Sequence, residues 1–246
     1  MALSLWNLTP QNLSDIIDER FNVDACDGYG APLLLLCISC QRRDLMQVLL
    51  NHGADPNLGT NADEIGLPLQ VAVNQCRFDF VKMLITHGAN IAHIERMPDV
   101  LSSALRTGNP DLTRYLHHQG LDPHITFSDM SNLLIAATRW NYSDLVQHLM
   151  SLTPRIHQPD SHGFTCIFHA VICKNLKLVR LFINDGANVN MHDNIEVYLM
   201  GYAISTGRRD IVMALISAGA NLNEMDSDHV HCNAAQPILQ AGYEEW

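Results

Sequence analysis

The chain has 246 residues, 47% of them hydrophobic, and carries 15 Lys and Arg against 26 Asp and Glu for a net charge of −11. That balance leaves no Lys/Arg stripe for duplex nucleic acid, and no apolar run reaches the roughly 18 residues that a membrane span requires. The start, Met1-Ala2-Leu3-Ser4-Leu5-Trp6, has no basic segment of the signal-peptide kind, and seven scattered cysteines, an odd number, point to free thiols in a reducing, cytoplasmic setting.

Thr9-Pro10 is a helix start. Leu13, Ile16 and Ile17 after it are echoed 32 residues later by Leu45, Val48 and Leu49. Residues 1–21 therefore read as an N-terminal capping half-repeat, with Asp15, Asp18, Glu19 and Arg20 on its wet face. From residue 22 one phrase recurs: Asn51-His52-Gly53-Ala54-Asp55, His87-Gly88-Ala89-Asn90, Asn184-Asp185-Gly186-Ala187-Asn188 and Ala218-Gly219-Ala220-Asn221, with Gln119-Gly120-Leu121-Asp122 a looser copy. The glycines are spaced 35, 32, 66 and 33 residues apart, which leaves a missing member at Thr153. A fixed period near 33 is a solenoid signal. Each phrase follows apolar residues at helical spacing, such as Leu178/Val179/Phe182/Ile183. Its glycine is a helix stop, and its Asp and Asn are turn formers.

The reading is an all-α solenoid in one elongated domain: repeats at 22–57, 58–90, 91–123, 124–156, 157–190 and 191–223, joined by short β-hairpin fingers. Repeat two has a long finger, and repeat three a short one without its glycine. Repeat four is the most degenerate, with Met130 in the finger-glycine place, and is expected to be the weak coupling of the stack. Residues 224–246, limited by Pro237 and Gly242, read as a C-terminal capping half-repeat.

Asp160-Ser161-His162-Gly163-Phe164-Thr165-Cys166-Ile167-Phe168-His169-Ala170 opens repeat five. It resembles the ankyrin signature D-x-x-G-x-T-P-L-H-x-A, and Ala31-Pro32-Leu33 and Leu67-Pro68-Leu69 keep its proline. The signature histidine is absent from every copy; its places are Leu34, Gln70, Ser102, Ile135, Phe168 and Gly201. The resemblance to ankyrin-repeat proteins covers residues 20 to 236 and implies a monomeric, non-catalytic protein-interaction module. It also marks Asn57, Asn190 and Asn223, in the finger-asparagine place, as candidate sites of asparaginyl hydroxylation.

Motifs with chemistry are sparse. Cys37-Ile38-Ser39-Cys40 has redox or zinc spacing, but Cys40 aligns with Cys76, Gly108 and Gly207, where small residues are wanted. His229-Val230-His231-Cys232 lies in the last finger, and His117-His118 at a helix end favoured by the helix dipole. There is no phosphate loop, nucleophile elbow or zinc-protease motif, so neither enzyme chemistry nor a cofactor or metal is expected. Pro32-Leu33-x-x-x-Cys37 resembles the start of an elongin-binding box, with Gln41 where an aliphatic residue belongs, and apolar residues there are also needed for stacking.

In such stacks the fingers and the ends of the first helices form a concave face for a protein partner. Across repeats three to five that face gathers Arg106, Arg139, Trp140, His162 and Phe164. Arg and Trp are enriched at binding hot spots, and two arginines on an acidic protein point to carboxylates or phosphates on the partner. Trp140 alternatively fills a gap in the degenerate fourth repeat. Two rival readings stand beside the binding module: an adaptor of a ubiquitin ligase or a bacterial effector working in host cytosol, and the recognition part of a longer enzyme.

Overall fold

The computed structural model describes residues 7–18, 22–60, 66–95, 98–106, 108–152 and 155–222. Helical hairpins follow one another along the chain, which divides between Asp122 and Pro123 into two compact units. The first unit holds α1 (Pro10–Asp18), the hairpins α2/α3 (Leu33–Ser39, Arg43–Asn51) and α4/α5 (Pro68–Asn74, Phe78–Thr86), then α6 (Ala92–Glu95) and α7/α8 (Pro98–Arg106, Pro110–His118). The second unit holds α9/α10 (Leu133–Arg139, Ser143–Met150), α11/α12 (Cys166–Ile172, Leu176–Asn184) and α13/α14 (Leu199–Ser205, Arg209–Ser217).

Within each unit first helices pack on first helices and second on second, as with α2 on α4, α9 on α11 on α13, and α12 on α14. A first helix is thus covered by its neighbours and its own second helix, so nearly every residue of α9 and α11 is buried. The second helices bury one stripe only, for example Leu178, Val179 and Phe182 of α12. This explains why the second-helix pattern is the cleaner periodic signal. Helix α1 packs on α3 through the buried Leu13.

Among the described residues every left-handed backbone position falls into one of three repeating registers. One is the glycine after the second helices α3, α5, α8, α12 and α14. There the next residue closes the helix by donating its N–H to a carbonyl five residues back, as Ala54 does to Leu49 (3.0 Å) and Ala187 to Phe182 (2.9 Å). The second is the finger position of Gly30, Gly66, Met130, Gly163 and Glu196. The third follows each first helix and holds Gln41, Cys76, Gly108, Asn141, Lys174 and Gly207. This corrects the alignment of Cys40 with Cys76 and Gly108. Gln41 occupies that register at φ 58°, whereas Cys40 caps α2 at φ −85°. The position demands a left-handed turn, not small size, and a large side chain there points to solvent at a conformational cost of about 1 kcal/mol.

The fingers at Cys26–Pro32, Thr126–Asn132 and His192–Tyr198 each close with one isolated antiparallel bridge. In repeat three a short finger was expected, but residues 92–95 form the helical turn α6. Its His93 carbonyl accepts from Nε2 of the buried Gln70 at 2.9 Å. Gln70 stands in the signature-histidine place, so an amide ties this repeat to the next. The asparagine latches are also explicit. Asn57 Nδ2 donates to the Gly88 carbonyl (3.1 Å) while its Oδ1 accepts from the Asn90 N–H (2.8 Å). Asn190 repeats both bonds with Gly219 (3.2 Å) and Asn221 (2.7 Å). Loss of this exposed pair in Asn190→Ala is expected to lower stability by about 1 kcal/mol, measured as a fall in the urea midpoint. An unchanged midpoint would mean that water replaces both bonds without loss.

Candidate functional site

The fingers of the second unit are built on carboxylates. Asp160 Oδ1 accepts the N–H groups of His162 (2.9 Å) and Phe164 (3.0 Å), and Asp193 Oδ1 those of Ile195 and Val197 (both 2.9 Å). Aspartate suits this place because it closes a local turn and satisfies the finger N–H groups. In repeat four the equivalent residue is the buried Phe127. Asp129, two residues on, takes over by accepting the Ser131 N–H at 3.0 Å. Each finger aspartate is then held from a first helix: Arg139 Nη1 reaches Asp129 (2.7 Å), His169 Nε2 reaches Asp160 (3.0 Å) and the Tyr202 hydroxyl reaches Asp193 (2.6 Å).

Arg139 does more than this. Its Nη2 also reaches Asp160 Oδ2 at 3.0 Å, so one guanidinium spans the fingers of repeats four and five. The Asp160 side chain is 1% exposed. Burial alone would push its carboxyl upward, but His169 and the N–H groups of His162 and Phe164 hold it down at about 2. Asp129 is likewise lowered: burial pushes it up, and the bonds from Ser131 and Arg139 outweigh that. Backbone bonds continue the stitching, from Ser161 N–H to the Asp129 carbonyl (2.9 Å) and from Asn194 N–H to the His162 carbonyl (3.0 Å). Repeat four thus has a side-chain clamp and a backbone bond to repeat five.

The five partner-face residues thus separate. Arg106 is exposed at the end of α7 in the first unit, and the other four belong to the second. Arg139 is committed to two carboxylates of its own chain, which neutralise the charge that pointed to an anionic partner. Trp140 caps α9 and is 37% exposed. His162 is exposed at a finger tip. Phe164 is half-buried, stacked on Phe168 (5.3 Å between centroids) and edge-on to Tyr202 (5.4 Å). Three further apolar residues are exposed in the second unit: Met130 (60%) and Ile195 (72%) in fingers, and Ile172 (42%) ending α11. Solvent exposure distinguishes Ile172 from the other residues of α11, all of which are buried.

The other motifs resolve simply. Cys37 is buried, and burial pushes its thiol up to about 12, the reverse of what a redox dithiol needs. Leu33 and Cys37 of the elongin-box-like segment are both buried in α2. No group of three or more metal-binding side chains occurs among the described residues. His229, His231, Cys232, Asn223 and the 224–246 half-repeat lie outside the described residues.

Stacked helical hairpins, up to three left-handed turns per repeat and aspartate-closed fingers define a repeat protein. The sequence profile of ankyrin repeats (3 copies) matches residues 100–193 and 133–226, and the chain belongs to that family. It is 21% identical to an ankyrin repeat protein of Acanthamoeba polyphaga mimivirus over 92% of this chain and 52% of that one. It is 22% identical to an E3 ubiquitin-protein ligase of Arabidopsis thaliana (94% and 16%) and 20% identical to a phosphocholine transferase of Legionella pneumophila (83% and 24%). The chain spans about half, or less, of the length of these relatives. Ankyrin repeats are protein–protein interaction modules and as a class are not catalytic. Among the described residues no helix is long and apolar enough to cross a membrane.

Proposed function

We propose that the chain holds an apolar segment of a partner protein on the finger tips and first-helix ends of its second unit. The observation that carries this is the exposure of Met130, Trp140, Ile172 and Ile195, where the neighbouring Arg139 is already paired with Asp129 and Asp160. Large apolar side chains on rigid, mutually bonded fingers present contact area with little ordering left to do on binding. Trp140 is the anchor, next in sequence to an Arg139 held by the finger carboxylates. The test is affinity capture and titration with wild type and Trp140→Ala/Ile195→Ala, with equal thermal unfolding as the control for folding. A captured partner should bind the variant at least about 30-fold more weakly, as loss of a hot-spot residue implies. Unchanged affinity would refute the reading.

A second reading takes these repeats as the recognition part of a larger assembly, a ubiquitin ligase or a bacterial effector. The ligase and transferase relatives favour it, because the match takes up only a small share of each. Co-purification with cullin or elongin proteins tests the ligase branch, and the length of the native reading frame tests the fused-enzyme branch.

A further inference from the structure

Lysine occurs at only three places in the chain: Lys82, Lys174 and Lys177. The last two occupy positions where local backbone physics disfavours them. Lys174 sits at φ 56° in the register that holds Gly108 and Gly207. Lys177 lies in the first turn of α12, where α3, α5, α8, α10 and α14 place Asp44, Asp79, Asp111, Asp144 and Asp210. An aspartate there complements the positive end of the helix dipole, and a lysine opposes it. Local rules broken without a structural return are a mark of function.

Both lysines belong to a cluster. Arg180 lies three residues beyond Lys177 on α12, and α14, packed against α12, opens with Arg209 after its cap Arg208. Arg208 Nη1 donates to the Lys174 carbonyl at 3.2 Å, which fixes the two ends together, and its other nitrogens bind Asp210. Lys174, Lys177, Arg180 and Arg209 are exposed, and the first three form no ion pair among the described residues. Four of the chain's 15 cations are therefore exposed in and just before α12 and at the start of α14, in a protein of net charge −11.

We propose that this α12–α14 face is a second docking surface, for an acidic segment of a protein partner, distinct from the apolar finger face. A peptide fits better than a membrane surface, because none of the exposed large apolar residues lies on α12 or α14 to insert between lipids. The test is fluorescence anisotropy of a labelled Asp/Glu decapeptide with the full chain at low and moderate salt. The informative variant is Lys174→Gly/Lys177→Asp, which restores the residues used at the same places elsewhere. Its control is Arg43→Gln/Lys82→Asp, which changes the net charge equally on the first unit. Affinity is expected to fall at least tenfold in the first variant and to stay within twofold in the control. The first variant should also melt about 1–3 °C higher, since both replacements suit the backbone. Equal losses in both variants would assign the binding to net charge alone and overturn the proposal. So would no peptide binding by the wild type, with or without binding to vesicles of 30% anionic lipid.

Discussion

Asp160→Ala is expected to destabilise the protein by about 3–5 kcal/mol, as removal of one partner from a buried charge cluster does. The carboxylate is 1% exposed and accepts four bonds, from the His162 and Phe164 N–H groups, Arg139 and His169. Without it two finger N–H groups lose their acceptor, the buried His169 loses its partner, and Arg139 keeps Asp129 alone. Asp160→Asn should lose roughly half as much, because Oδ1 still serves the finger N–H groups while the amide meets Arg139 or His169 donor to donor. The same group sets an acid limb. Its pKa of about 2 in the folded chain lies below the roughly 3.9 of an unfolded aspartate. Its contribution is therefore complete above about pH 4 and disappears as pH falls through about 2. Urea midpoints between pH 7 and 2.5 check both claims: the wild type should lose stability below pH 4 more steeply than Asp160→Asn. Parallel pH profiles would show that the cluster does not act as drawn.

The second large effect is a single methyl group. A Cβ added at Gly163 would lie 2.7 Å from Asn194 Oδ1, 2.8 Å from the Asn194 backbone nitrogen and 3.1 Å from the Asp193 carbonyl carbon. The side-chain oxygen could swing aside, but the backbone cannot without giving up the Asn194-to-His162 bond that joins the two fingers. With φ at +88°, alanine adds left-handed strain to the overlap. The expected loss for Gly163→Ala is about 2–4 kcal/mol. Gly186→Ala has the same strain at φ +84° but nothing within 4 Å, so it should lose only about 1 kcal/mol. Equal losses, measured by urea unfolding of the two variants, would mean that the fingers do not pack as closely as the structure shows.

The proposed binding face and the frame differ in how far the sequence revealed them. The frame is a matter of local rules repeated: an apolar stripe at helical spacing, a glycine where the second helix stops, an asparagine in the turn after it. Each is legible because one residue type is strongly preferred for one backbone state. The register after the first helix was misread because Gln41, Asn141 and Lys174 adopt the left-handed turn without being glycine. In such cases composition no longer reports conformation. The substitute for the missing finger aspartate, Asp129 for Phe127, was equally invisible, since the turn accepts a carboxylate from either place.

Arg139 and Trp140, neighbours in sequence, show the remaining limit. Both looked like partner anchors, yet the arginine is turned into a clamp by Asp160, 21 residues away. The tryptophan remains at the surface, as do Ile172 and Ile195. The sequence by itself determined the period, the helices and the family, because those follow from backbone preferences that act within a few residues. Which side chains are free to bind depended on tertiary structure alone. Stacking brings residues one repeat apart into contact, and only that contact decides whether a charge is neutralised or an apolar side chain is covered.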